Sequence, residues 1–158
     1  MEDFKINQLT KELVVSRLKN MADPCAAAAE LVKKTLIVAL KGIPPGDSRF
    51  ISIIRDACQG GMTGLLVAGQ NLPKGTILLL EGVSEVSTSM GFDPTLAMQC
   101  ALEGIADLHR FVNHEQMEAI KTEIDAHMMG AGDAFATIWI DLAQRHEETH
   151  KSSSPEIA

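Results

Sequence analysis

Between Asp56 and Lys74 the chain carries no charge, and within that stretch Ala57, Gly61, Gly64 and Ala68 recur at helical spacing. Glycine inside a helix costs about 1 kcal/mol relative to alanine. A helix that keeps several small residues on one ridge therefore has a packing reason, which is the close approach of another backbone. Phe50, Ile53, Ile54 and Leu65 extend the apolar side of the same segment, at the three-to-four spacing of a buried helix face. The ridge Ala57, Gly61, Gly64 and Ala68 is thus expected at the tightest helix crossing of the fold, within one subunit or between two.

The flanking segments read as helices with their own punctuation. Residues 6–21 place Ile6, Leu9, Leu13, Arg17 and Met21 along one side. Asp23-Pro24 is a start signal, aspartate at the N-cap and proline in the first turn. It opens a helix with Cys25, Ala28, Val32, Leu36 and Ala39 on one face. Gly42-Ile-Pro-Pro-Gly46 is a break, after which Asp47 or Ser48 caps the small-residue helix. Thr76 is expected to cap the next segment, with Ile77, Leu80, Val83, Val86 and Met90 inside. Asp93-Pro94 repeats the start signal, and the helix it opens is expected to run to Phe111. Asn113 with Gln116 forms a capping box, and Val112 with Met117 a hydrophobic staple. Gly130 then ends a helix and Asp133 caps the last one, which carries Phe135, Ile138, Trp139 and Leu142. Leu36–Leu40, Leu65–Ala68 and Thr76–Glu81 are β-branched or leucine-rich enough to be strands, the alternative that would make the fold α/β. The expectation is an all-α single domain over residues 1–150, with six or seven amphipathic helices joined by short Pro-, Gly- and Asp-marked connections. Residues 151–158 are expected to form a disordered tail.

Composition narrows the functional classes. A net charge of −7 argues against a nucleic-acid partner, whose binding rests on neutralising phosphates. Eleven acids against three bases lie between Asp93 and His150, an imbalance that suits a solvated face, a cation or a basic partner. The uncharged 57–73 stretch is interrupted by Gln59, Gln70, Asn71 and Pro73, so no membrane span is expected. Met1-Glu-Asp-Phe is acidic where a signal peptide is basic, and the three cysteines form no CxxC pair. A reducing cytoplasm is the expected compartment. Cys25, in the first turn of its helix, is the thiol expected to have a lowered pKa. Few aromatics beside a large apolar fraction suggest a homo-oligomer or another protein partner.

Two strings carry chemistry. His146-Glu-Glu-Thr-His150 matches HExxH, which on a helix sets two imidazoles on one face to hold zinc while Glu147 acts on a bound water. Gly130-Ala-Gly-Asp133-Ala-Phe135 resembles the GAGD segment of the ribokinase-type sugar kinases. That resemblance implies an anion cradled by glycine amides at a helix start, with Asp133 as base. It covers six residues, and that family uses an α/β domain roughly twice as long. Elsewhere, Glu103 and Asp107 are paired at i,i+4, as are Glu123 and His127. The one Glu-x-x-His pair is Glu147–His150, whereas a bundle di-metal site needs two.

The leading expectation is a non-catalytic helical module for protein–protein interaction, scaffolding or regulation, without a cofactor. One alternative is a metal-binding protein or metal-dependent hydrolase with zinc on His146 and His150 and Glu147 as base. Another is a small-molecule-binding bundle, its pocket lined by Met62, Met90, Met98, Met117 and Met128.

Overall fold

The helix that carries the glycine ridge lies at the centre of the molecule because its surface is almost flat on two sides. The computed structural model describes residues 2–18, 23–44 and 46–153. Seven helices follow one another among them: α1 Glu2–Leu18, α2 Pro24–Leu40, α3 Arg49–Val67, α4 Leu72–Met90, α5 Pro94–Ala106, α6 His114–His127 and α7 Ala131–Ser153. A short 3-10 turn, Asp107–Arg110, joins α5 to α6. No described residue is in a strand, so the three stretches with strand-like composition are helical: Leu36–Leu40 in α2, Leu65–Val67 in α3 and Thr76–Glu81 in α4. Among the described residues no helix is long and apolar enough to cross a membrane.

The register of neighbours along α3 sets the topology. A Cβ built on Gly60 would fall 2.6 Å from the Asn7 carbonyl oxygen, and one on Gly64 would fall 2.7 Å from Val14. Helix α1 therefore runs parallel to α3, backbone against backbone. On the adjoining face a Cβ on Gly61 would meet Val32 of α2 at 2.7 Å and Leu79 of α4 at 3.4 Å. Helix α5 closes the remaining side, where Gly104 sits directly against the Arg55 carbonyl. Ala57, Gly61 and Gly64 are fully packed and Ala68, the helix C-cap, is half-buried. The close approaches are thus made within one chain, and Gly60 and Gly104 join the small residues that permit them.

Helix boundaries follow capping chemistry. The Asp23, Asn71 and Asp93 side chains accept from the backbone N–H of Ala26, Lys74 and Thr95 respectively, each with a proline in the first turn. Asn113 and Gln116 form the reciprocal capping box. Asn71, not Thr76, starts α4. Thr76 lies a turn inside, fully buried, its hydroxyl donating to the Leu72 carbonyl at 2.9 Å. The N-terminus of α7 is also formed differently: Asp133 sits in the first turn, exposed, while Asp125 of α6 accepts from the Gly132 N–H at 3.2 Å. Helix α5 stops at Ala106 instead of reaching Phe111, and the chain tightens into the 3-10 turn there.

Helix α1 shows which side of an amphipathic segment wins. Leu9 is 53% exposed, whereas Thr10 and Val14 are fully buried. They fit the grooves above Gly60 and Gly64, and Thr10 is neutralised by donating to the Ile6 carbonyl at 2.7 Å. Met21 at the expected end of this helix, and residues 154–158 of the expected tail, lie outside the described residues.

Candidate metal centre

The 3-10 turn after α5 brings two side chains toward α7 that an uninterrupted helix would direct elsewhere. Asp107 opens the turn and His109 follows, while buried Leu108 pins the turn to the core. Helix α7 packs its apolar side, Phe135, Ile138, Trp139 and Leu142, against the body. One further turn along that side stands His146. The His109 and His146 rings lie 4.9 Å apart, tilted by 35°. With the Asp107 carboxylate they offer three ligand atoms, all within 4.8 Å of one another.

The atoms of this cluster are held from behind. One Asp107 oxygen, Oδ2, accepts from the Gln59 amide and from the Arg110 guanidinium, the latter at 2.5 Å. Gln59 is fixed in turn by the Asn7 amide, which donates to its Oε1 at 2.7 Å. Hydrogen bonds of this kind orient a metal-binding carboxylate and leave its other oxygen available. His109 Nε2 is fully enclosed and, among the described residues, has no hydrogen-bond partner. Burial first, and then the neighbouring His146, hold the His109 pKa below its ordinary value, against the opposing pull of Asp107. The ring is thereby biased to the neutral form that coordinates metals.

Chemically, two imidazoles and one carboxylate are a borderline-soft donor set suited to zinc or iron(II), with positions left open for water or substrate. A tetrahedral zinc with bonds of about 2.0 Å spans donors about 3.3 Å apart. Asp107, alone of the three, also lines a cleft of about 560 Å³ between α3, α5 and α7, whose walls carry Arg55, Gln99, Glu103, Asp141 and Arg145 as well. Arg145 is paired with Asp141 at 2.9 Å.

Of the HExxH string, His146 enters the cluster, Glu147 is exposed, and the His150 side chain lies outside the described residues. The partner of His146 is instead His109, from a different element. His114 packs on Trp139 with ring centroids 5.0 Å apart, and His127 pairs with Glu123 at 3.3 Å. In the GAGD segment Gly130 has φ +86°, Gly132 abuts Asp125, and Asp133 faces solvent 4.0 Å from Lys121. This segment sits in an α-helical hairpin, not at the strand–helix junction of the sugar kinases. Of the methionines, Met62 and Met117 belong to the core, and Met90, Met98 and Met128 pack against it.

The three cysteines are buried and free. The thiol of Cys25 donates to the Asn71 carbonyl at 3.4 Å. Its pKa is raised by burial, which outweighs Lys74, so the lowering expected at a helix start does not occur. Burial pushes Cys58 up to about 12 and Cys100 to about 11. At pH 8 a disulfide reagent such as Ellman's is expected to leave all three thiols unmodified in the native protein and to titrate all three in guanidinium. Immediate modification of a native thiol would contradict this.

No known protein family, curated protein or solved structure matches this chain.

Proposed function

We propose that this protein binds a divalent transition-metal ion, zinc by donor type, on Asp107, His109 and His146, and works as a metal-dependent protein whose ligand enters the adjoining cleft. The observation that carries the reading is the His109 ring, whose enclosed Nε2 has no hydrogen-bond partner among the described residues, in one donor set with His146 and a braced carboxylate. Buried polar atoms are nearly always paired, and an ion held by this nitrogen would supply the partner. A non-catalytic interaction module is what a chain with scattered chemical groups suggests. Here an α5-side turn and α7 deliver three donors to one place.

Zinc titration of tag-free protein by calorimetry tests the proposal. One ion per chain is expected, and His109→Ala or His146→Ala should weaken binding by more than the roughly 10–100-fold typical of losing a hydrogen bond that only orients a ligand. His150→Ala separates this site from an HExxH site, since it should leave affinity nearly unchanged. Undiminished binding in His109→Ala, or no binding by the wild type, defeats the proposal.

A further inference from the structure

Asp107 is held from two directions, and only one of them fixes it relative to the body of the protein. Arg110, which donates to Asp107 Oδ2 at 2.5 Å, belongs to the same 3-10 turn and travels with it. Gln59 stands on α3, at the centre of the molecule, and donates to the same oxygen through Nε2. A primary amide has a donor end and an acceptor end, so this bond forms in only one of the two orientations of the Gln59 amide. With the amide turned over, its carbonyl oxygen would face the carboxylate and repel it.

The orientation is set from α1. Asn7 Nδ2 donates to Gln59 Oε1 at 2.7 Å, which leaves the NH2 group of Gln59 to point at Asp107. Asn7 reaches this place because Gly60 has no side chain. A Cβ there would fall 2.6 Å from the Asn7 carbonyl oxygen, so the two backbones touch beside Gln59. Helix α1 supplies none of the three donors. The side chains it buries fully among its described residues are small, Thr10 and Val14, so polar contacts carry a larger share of its attachment.

Resting on the metal reading above, we propose that Gln59 is the positioning residue of the metal centre and that, through Asn7, it couples the docking of α1 on α3 to metal occupancy. One carboxylate is shared by the donor set and the Gln59 amide. When Asp107 is fixed, it holds that amide in the sense that Asn7 requires; when α1 is docked, Asn7 holds it in the sense that Asp107 requires. Each event favours the other, and the coupling is reciprocal by linkage. Zinc thereby acts on a helix that contributes no ligand to it.

The test titrates zinc into wild type, Asn7→Ala, Gln59→Met and the double variant, and follows amide hydrogen exchange with and without the ion. Gln59→Met keeps the length of the side chain and removes both polar ends. It should weaken zinc binding by about 10–100-fold, the usual cost of losing a bond that only orients a ligand. Asn7→Ala should weaken it by about 2- to 10-fold, the worth of one neutral hydrogen bond. It should cost nothing further in the Gln59→Met background, because its effect passes through the amide. Zinc should slow exchange of the α1 amides relative to those of α2 in wild type, and that difference should vanish in Gln59→Met. Wild-type affinity in Gln59→Met, an Asn7→Ala effect undiminished in the double variant, or α1 exchange indifferent to zinc in wild type each overturns the coupling and leaves the metal centre standing. Failure of the wild type to bind zinc removes both proposals together.

Discussion

Gly104→Ala is expected to be the most damaging single-methyl change in the protein. A Cβ there points straight at the carbonyl oxygen and carbon of Arg55 and at Cys58 Cβ. Two of those atoms are backbone of a helix in full contact with its neighbours, so they move only if α3 and α5 separate. Overpacking of this kind costs about 3 kcal/mol or somewhat more, and the gain in helix propensity offsets about 1 kcal/mol. A net loss of at least about 2 kcal/mol lowers the melting temperature by about 4–8 °C in a domain of this size. Gly61→Ala is the informative comparison, because its nearest obstacle is a Val32 methyl rather than backbone, so a side chain and not a whole helix has to shift. It should lose less than half as much. Thermal denaturation followed by circular dichroism decides, and a Gly104→Ala melt within a degree of wild type would show that the α3–α5 crossing is looser than described. Arg55 and Gly104 also line the cleft, so zinc affinity should fall with stability.

The helical class and most helix starts were legible because they rest on local chemistry. Asp23-Pro24, Asp93-Pro94 and Asn113 with Gln116 need only their own neighbours to act, and each caps as read. Features decided by distant partners were not. Leu9 and Leu13 make the more hydrophobic stripe of α1, yet the glycines of α3 select Thr10 and Val14, since small and β-branched side chains fit the shallow groove. Asp133 has the right letter for a cap but is displaced by Asp125, which reaches across from α6. One of the three donors was visible: His146 stood out through the HExxH string. Its partners did not, because Asp107 and His109 lie beyond a whole intervening helix and on a turn whose 3-10 geometry depends on Leu108 packing. The i,i+4 spacing of Glu103 and Asp107 was the one further signal, and on a surface helix it looks like any solvated face.

Phe135→Ala should bring the largest loss of stability and should couple it to the metal. Phe135 is fully buried and anchors the start of α7, the helix that carries His146 at its other end. Truncating a buried phenylalanine costs about 3–5 kcal/mol, a large share of the 5–15 kcal/mol that typically holds a domain together. A fall in melting temperature of about 6–20 °C is expected. Because α7 reaches the body again through Trp139 and Leu142, the variant should still fold at low temperature, with α7 less firmly docked. An ion bridging His146 of α7 to Asp107 and His109 would re-dock it. Free zinc at 100 times its dissociation constant adds about 2.7 kcal/mol to a state that alone binds it, enough to recover at least about half of the loss. Calorimetric scans of Phe135→Ala with and without zinc should show that recovery, and the double variant Phe135→Ala/His146→Ala should show none. Equal rescue of both would mean that zinc acts elsewhere on the protein, and that the contact between His109 and His146 serves only to close the end of the bundle.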